Sequence, residues 1–294
     1  MRMTLRLEGA VPALFVALWS TGFIGAKLGL PHAGPATFLS LRFLVVMIGM
    51  GVMSLVLRAR WPGRWREAGH IAVVGFLLQG LYLGGVFIGI SKGVSAGLSA
   101  LIVALQPVLT AMLARRALGE RVTSVQWLGF GLGFIGVVLV AASKLSLDPR
   151  QLTGLAFTVA ALLGITAGTL YQKRFCAGMD LCSGTVIQNA AAFLPLSIVA
   201  FLFEPLTIDW APAFIFALAW LCLVLSVGAT MMLLWLLRRG AATRVASLFY
   251  LVPPVTALIA YAMFGETLSS SALLGTAIAV LGVALVVRHQ ARSG

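Results

Sequence analysis

Ten apolar runs, each long enough to cross a membrane, follow one another along the chain with only a few residues between most of them. The hydrocarbon core of a bilayer is about 30 Å thick and a helix rises about 1.5 Å per residue, so about 20 apolar residues make a span. On that basis the spans run over 10–30, 36–57, 70–90, 94–114, 124–142, 152–172, 184–203, 212–237, 244–264 and 270–287. The longest gap is 58–69, so no soluble domain fits between them. Lipid offers no hydrogen-bond partner to a backbone, so runs of this length can cross it only as helices. The expectation is an all-α membrane protein of ten transmembrane helices. Arg2 and Arg6 precede the first run in the manner of a signal peptide. No small-residue cleavage site ends that run, and it is read as a retained helix.

Composition agrees: 61% of the 294 residues are hydrophobic and 10% charged, against roughly half and a quarter in soluble domains. The net charge of +13 sits in short clusters between apolar runs, not along one face, which argues against nucleic-acid binding. Lys and Arg accumulate on the cytoplasmic side of membrane proteins. With both termini inside, the inner segments collect Arg58, Arg60, Arg64, Arg66, Arg115, Arg116, Arg121, Lys173, Arg174, Arg238, Arg239 and Arg244, besides the terminal arginines. The outer loops keep Lys92, Lys144 and Arg150. The expected location is therefore a bacterial cytoplasmic (inner) membrane, crossed many times, with both termini cytoplasmic. Cys176, Cys182 and Cys222 form no CxxC and lack nearby histidines, so neither a disulfide framework nor a metal site is expected. No cofactor is expected either.

The sequence also repeats. A single offset of 146 residues pairs Gly22 with Gly168, Lys27 with Lys173, Pro107 with Pro253, Thr110 with Thr256 and Gly119-Glu120 with Gly265-Glu266. It pairs Leu128-Gly129 with Leu274-Gly275 as well. Leucine matches mean little in apolar sequence, but Lys, Pro, Thr and Gly-Glu at one offset mean more. Residues 1–146 and 147–294 then each hold five spans. An odd number forces the second half to insert upside down, and inverted repeats of this kind build a site near the midplane that opens alternately to either side.

On these residues the chain resembles the drug/metabolite transporter superfamily and its ten-helix EamA-type exporters. The stretches that carry the resemblance are WSTGFIGAK (Trp19–Lys27), SAGLSALIVALQPVLTAMLARRALGE (Ser95–Glu120) and LVPPVTALIAYAMFGE (Leu251–Glu266). Within the superfamily the chain looks most like the YddG-type amino-acid exporters. The resemblance implies two inverted five-helix repeats around a central cavity, lined mainly by helices 1, 3, 4, 6, 8 and 9.

Candidate pathway residues follow from where polarity interrupts apolar helices. Pro107, Pro253 and Pro254 each remove a backbone donor and are expected to bend helices 4 and 9 beside something polar, as hinges or as static kinks. Ser95, Ser99, Gln106 and Thr110 share one face of helix 4, and Thr158, Thr166, Thr169 and Lys173 share a side of helix 6. Gln79 and Tyr82 are helical neighbours in helix 3, as are Ser226 and Thr230 in helix 8. For any single Ser or Thr the plainer reading is a hydroxyl bonded to its own helix. Trp19, Tyr82, Trp235 and Tyr250 lie deep enough to wall an apolar or aromatic substrate, whereas Trp61, Trp65, Trp127 and Trp210 suit the interfacial belt. Arg42, inside the second span, has a carbonyl, an outer carboxylate or an anionic substrate as possible partners. GxxxG spacings at Gly25/Gly29, Gly80/Gly84, Gly85/Gly89 and Gly129/Gly133 suit close helix packing.

No carboxylate or histidine falls at mid-span, where proton-coupled carriers place them, so uniport is the expected mode. The leading expectation is a secondary transporter exporting small metabolites, amino acids with apolar or aromatic side chains, by alternating access. The alternative is a carrier of drugs, sugars or other metabolites on the same fold. An intramembrane enzyme is disfavoured, since the chain has no HExxH, GxSxG or paired mid-span aspartates. Expected partners are a small-molecule substrate and the lipid bilayer, with the chain a monomer or weak homo-oligomer.

Overall fold

The computed structural model describes residues 2–106, 108–110, 113, 124–144, 148–229, 232, 249–267 and 269–293. These residues form ten helices: α1 (Arg2–Gly29), α2 (Pro35–Val56), α3 (Trp65–Ser91), α4 (Ala96–Val103) and α5 (Ser124–Lys144). Then come α6 (Pro149–Phe175), α7 (Leu181–Phe203), α8 (Pro212–Ala229), α9 (Val252–Phe264) and α10 (Ser270–Ser293). Six of them (α1, α2, α3, α6, α7 and α8) are long and apolar enough to cross a bilayer. Apart from one isolated bridge, Ala33 with Ile208, no strand pairing occurs among the described residues.

Element ends recur at the offset read from sequence. Gly29 and Phe175, which end α1 and α6, are 146 residues apart, as are Pro35 and Leu181, which begin α2 and α7. Two stretches depart from α-helix altogether: Phe76–Leu83 of α3 and Trp220–Ala229 of α8 are π-helical. Hydropathy reading foresaw neither.

The chain packs as two compact units. One holds Met1–Gly25, Val94–Leu152 and Leu223–Gly294; the other holds Ala26–Gly93 and Thr153–Cys222. Each takes helices from both sequence halves, and corresponding helices pack together: α5 with α10 and α4 with α9 in the first unit, α2 with α7 in the second.

Glycines set the α5–α10 seam. A Cβ on Gly282 would lie 2.5 Å from the Gly129 carbonyl oxygen, and one on Gly275 would lie 2.7 Å from that of Gly136. As one number rises the other falls, so the helices are antiparallel. Bare backbone on both sides lets them touch where lipid gives no hydrophobic drive to associate. In the second unit Gly85 and Gly89 face Phe157, Thr158 and Ala161 of α6 in the same way. Its core is aromatic: Phe38, Phe87 and Phe214 are buried, with Phe38 4.9 Å from Phe214 and 5.3 Å from Phe87 between ring centres.

Helix ends inside a membrane need partners for their free N–H groups, and α2 and α7 solve this differently. Asp180 caps α7 from its own chain, accepting from the Cys182 and Ser183 amides at 2.9 and 3.1 Å. The position 146 residues earlier is Gly34, which has no side chain to offer. Glu204, just past the end of α7, supplies the cap, accepting from the Ala36 and Thr37 amides, each at 2.8 Å, and from the Thr37 hydroxyl at 2.7 Å. A Cβ on Gly34 would collide with that carboxylate. The same end is tied by His32 and Asp209, 2.8 Å apart, and by the Asp209 amide donating to the His32 carbonyl at 2.9 Å.

Two stability outcomes follow. Gly34→Ala and Glu204→Ala should each cost about 1–2 kcal/mol, the scale of a lost N-cap. The double variant should cost clearly less than their sum, read from thermal unfolding in detergent. Gly282→Leu should abolish or sharply lower the monodisperse folded yield, whereas Gly131→Ala, whose Cβ would meet open space, should leave it intact or slightly improved.

Candidate functional site

The residues singled out from sequence fall in both units, and each unit is described by itself. In the first, Trp19 is half-buried on α1 and packs against Phe15 (5.3 Å) and, edge-on, against Phe249 (5.2 Å). The next residue, Ser20, is fully buried. Its hydroxyl donates to the Val16 carbonyl at 2.7 Å and reaches the Val252 carbonyl at 3.3 Å, while the Thr256 hydroxyl donates to the Ser20 carbonyl at 3.4 Å. Val252 opens α9 just ahead of the double proline. The WSTGFIGAK stretch therefore meets the proline end of the second repeat motif through backbone groups.

Pro253 and Pro254 lie in the first turn of α9, after a 3₁₀ turn over Phe249–Leu251. At that position a missing N–H costs nothing, because first-turn amides have no helical partner anyway. Pro107 itself lies outside the described residues, but α4 ends at Val103, four residues before it. A proline ring clashes with the carbonyl four residues earlier, which accounts for the break at that residue. The chain resumes through i−3 contacts, the Leu105 amide donating to Ile102 and the Val108 amide to Leu105.

Around this break the hydroxyls of Ser99 and Thr110 are buried with no hydrogen-bond partner. Gln106 between them is half-buried. Ser95 is spent as the N-cap of α4, accepting from the Leu98 amide at 3.2 Å, beside Glu266, which accepts from the Ala96 amide at 3.3 Å. Gly265, in the left-handed region at φ 64°, ends α9 and delivers Glu266 there. The 120-position partner, Glu120, lies outside the described residues, as do Trp235 and Thr230. Tyr250 sits in the 3₁₀ turn, its side chain also outside the described set. An apolar cleft of about 330 Å³ opens in this unit among Gly97, Pro254, Ala257, Leu273 and Thr276. Thr276 has already spent its hydroxyl on the Ala272 carbonyl, so the cleft suits an acyl chain better than a zwitterion.

In the second unit Gln79 and Tyr82 are half-buried within the π-helical stretch of α3. Thr166 is fully buried, its hydroxyl donating to the Leu162 carbonyl at 2.6 Å; Thr158 and Thr169 bond their own helix likewise, at 3.0 and 2.6 Å. The α6 stripe is thus satisfied within its helix. Lys27 and Lys173 both occupy last turns, where a cation complements the helix dipole. Cys176 is buried against Ile71 and Val74, and burial pushes its thiol upward. The interfacial tryptophans Trp61, Trp65, Trp127 and Trp210 are all exposed. Among the described residues no cluster of His, Cys, Asp or Glu could hold a metal ion.

Sequence reasoning left the partner of Arg42 open and foresaw no π turn. Arg42 on α2 is 7% exposed, with the Cys222 thiol 3.8 Å from its carbonyl oxygen and Tyr82 within electrostatic reach. Those two residues belong to the two π-helical stretches. Nothing in residue periodicity announces a π turn; the one available signal was an arginine inside an otherwise apolar span.

Comparison with known proteins agrees with this architecture. A "Probable amino-acid metabolite efflux pump" of Salmonella typhimurium is 27% identical over 95% of this chain and 94% of its own. A "Probable terminal-alkyne amino-acid exporter" of Streptantibioticus cattleyicolor is 27% identical over 97% and 95%, and an "Uncharacterized transporter" of Bacillus subtilis is 26% identical over 93% and 89%. A solved crystal structure shares the fold at a TM-score of 0.65, 19% identity and 96% coverage of both chains. The EamA-like transporter family matches twice, over residues 9–142 and 152–288. With both halves matched, the chain belongs to the EamA-like transporter family, a multi-pass membrane transporter of ten helices.

Proposed function

We propose that this transporter exports small zwitterionic metabolites, amino acids with apolar or aromatic side chains, by alternating access. The support for the substrate class is that two full-length relatives carry names that specify amino-acid export. The residues at hand suit such a cargo. Aromatic and amide groups stand half-buried at Trp19, Gln79 and Tyr82, and free hydroxyls at Ser99 and Thr110. An aromatic face holds both an apolar side chain and an ammonium.

The halves 1–146 and 147–294 act as inverted repeats on this reading, and the cavity lies between faces that each half contributes. Recurrent element ends and the packing of α2 on α7 and α5 on α10 support that arrangement. The basic segments put both termini in the cytoplasm of a bacterial cell, by the positive-inside rule. Since the carboxylates all sit at span ends, transport runs as uniport down the substrate gradient.

Reconstitution tests the reading. Liposomes bearing the purified protein should equilibrate labelled phenylalanine, tyrosine or leucine, and collapse of the pH gradient should leave the initial rate unchanged. Gln79→Ala and Tyr82→Ala should lower that rate by about fivefold or more, the scale of one lost polar contact. Ser99→Ala should slow it too while leaving thermal stability unchanged or slightly raised, since it removes a buried hydroxyl that bonds to nothing. Failure to move any amino acid would give the reading up in favour of a drug or sugar carrier.

A further inference from the structure

Four arginines crowd the turn between α2 and α3. Arg58, Arg60, Arg64 and Arg66 are all exposed, with Trp61 and Trp65 exposed between them. Both helices are spans, so this turn lies at a membrane surface. Its backbone is held in place. At the end of α2 the Arg58 amide donates to the Leu55 carbonyl at 3.3 Å, and the Ala59 amide to that of Ser54 at 2.9 Å. Arg58 itself is left-handed, at φ 50°. Glycine commonly holds that position at a helix end, because it has no Cβ to strain. An arginine there works against the backbone, and its side chain is what the position gains. The Ser183 hydroxyl of α7 then donates to the Arg60 carbonyl at 2.7 Å. The Glu67 and Ala68 amides close onto the Arg64 carbonyl at 3.0 and 3.3 Å.

Further cations come from α6. Its last turn stacks on α3 through Phe175 and His70, ring centres 4.7 Å apart, and the Tyr171 hydroxyl oxygen lies 2.8 Å from the His70 Nδ1. Lys173 and Arg174 occupy that turn and are exposed, so they join the arginines at one end of the unit. Glu67 and Asp180 are the carboxylates at this end, and Asp180 is committed to the cap of α7. Glu204 and Asp209 lie at the far ends of α2 and α7. Positive charge is therefore concentrated at the turn, beside the exposed apolar residues Leu55, Val56 and Leu57.

We propose that this end of the unit binds an anionic phospholipid, the arginines taking its headgroup phosphate while Trp61 and Trp65 sit at headgroup depth. The site is independent of the cargo. Clusters of four or more Lys or Arg next to a span attract anionic headgroups, by roughly fivefold in affinity per residue near the surface. Arginine adds paired N–H donors matched to phosphate oxygens, and tryptophan rings favour the interface. The occupant is a lipid, because its acyl chains cover Leu55, Val56 and Leu57, which a soluble phosphate leaves bare.

The test titrates the purified full chain, in neutral detergent, with phosphatidylglycerol and phosphatidylcholine of the same acyl chains and counts bound lipid by native mass spectrometry. Phosphatidylglycerol should bind about tenfold or more tighter, and the preference should shrink as salt rises. Arg58→Gly should lower its affinity about fivefold, and Arg60→Gln with Arg64→Gln about tenfold or more. Thermal unfolding without added lipid should be unchanged in the pair and unchanged or raised in Arg58→Gly. Lys92→Gln, at the other end of α3, should change neither readout. If Arg58→Gly does not fold, the Arg60 and Arg64 pair, both exposed, carries the test. Equal affinity for the two lipids would overturn the proposal and leave the arginines as an orientation signal. An equal loss in Lys92→Gln would overturn it in favour of net charge alone. Displacement of the lipid by glycerol 3-phosphate at matched concentration would overturn it in favour of a soluble phosphate.

Discussion

Inside a bilayer the backbone has no water to fall back on, so every point where a helix stops or changes its winding must be answered by the protein itself. Several of its polar side chains answer that demand. Glu204 closes the start of α2, Asp180 the start of α7, and Ser95 with Glu266 the start of α4. Ser20 reaches a carbonyl in the first turn of α9. The π-helical stretches meet the same demand another way, because a wider turn changes the winding yet keeps carbonyls and amides paired along the helix.

That demand makes the two sequence halves similar but not identical. At the start of α7 the cap is local, and the adjoining chain is held by the Ser183 hydroxyl donating to the Arg60 carbonyl at 2.7 Å. At the start of α2 a glycine gives up the local cap, and a carboxylate from the far end of α7 takes its place. One antiparallel pair, α2 with α7, is therefore closed by different chemistry at its two ends. The first closure involves one helix and the second ties two. His32 and Asp209, with the Ala33–Ile208 bridge, reinforce the second. Gly34 against Asp180 is the clearest difference between the two helix starts.

Much of this was legible beforehand, and the misses have a common cause. Long apolar runs and Gly-Glu or Pro punctuation report on length and on termination, so the spans and their offset could be read directly. Several expected starts were late by a few residues, for instance at α3, where Trp65 begins the helix and 70 was expected. Side-chain commitments are another matter. Thr158, Thr166 and Thr169 formed a polar stripe on paper, yet each hydroxyl is bonded within its own helix. Glu204 looked like an ordinary loop carboxylate because its partners are 168 and 167 residues away. The proline pair was read as a bend, and it stands where a 3₁₀ turn passes into α9. Periodicity averages over turns, and a π turn, a cap in trans or a first-turn proline is a single-residue event.

Among the described carboxylates Asp180, Glu204 and Glu266 accept from amides at helix starts. A carboxylate that closes a helix start is spent on the fold, and a variant that removes it uncaps the helix.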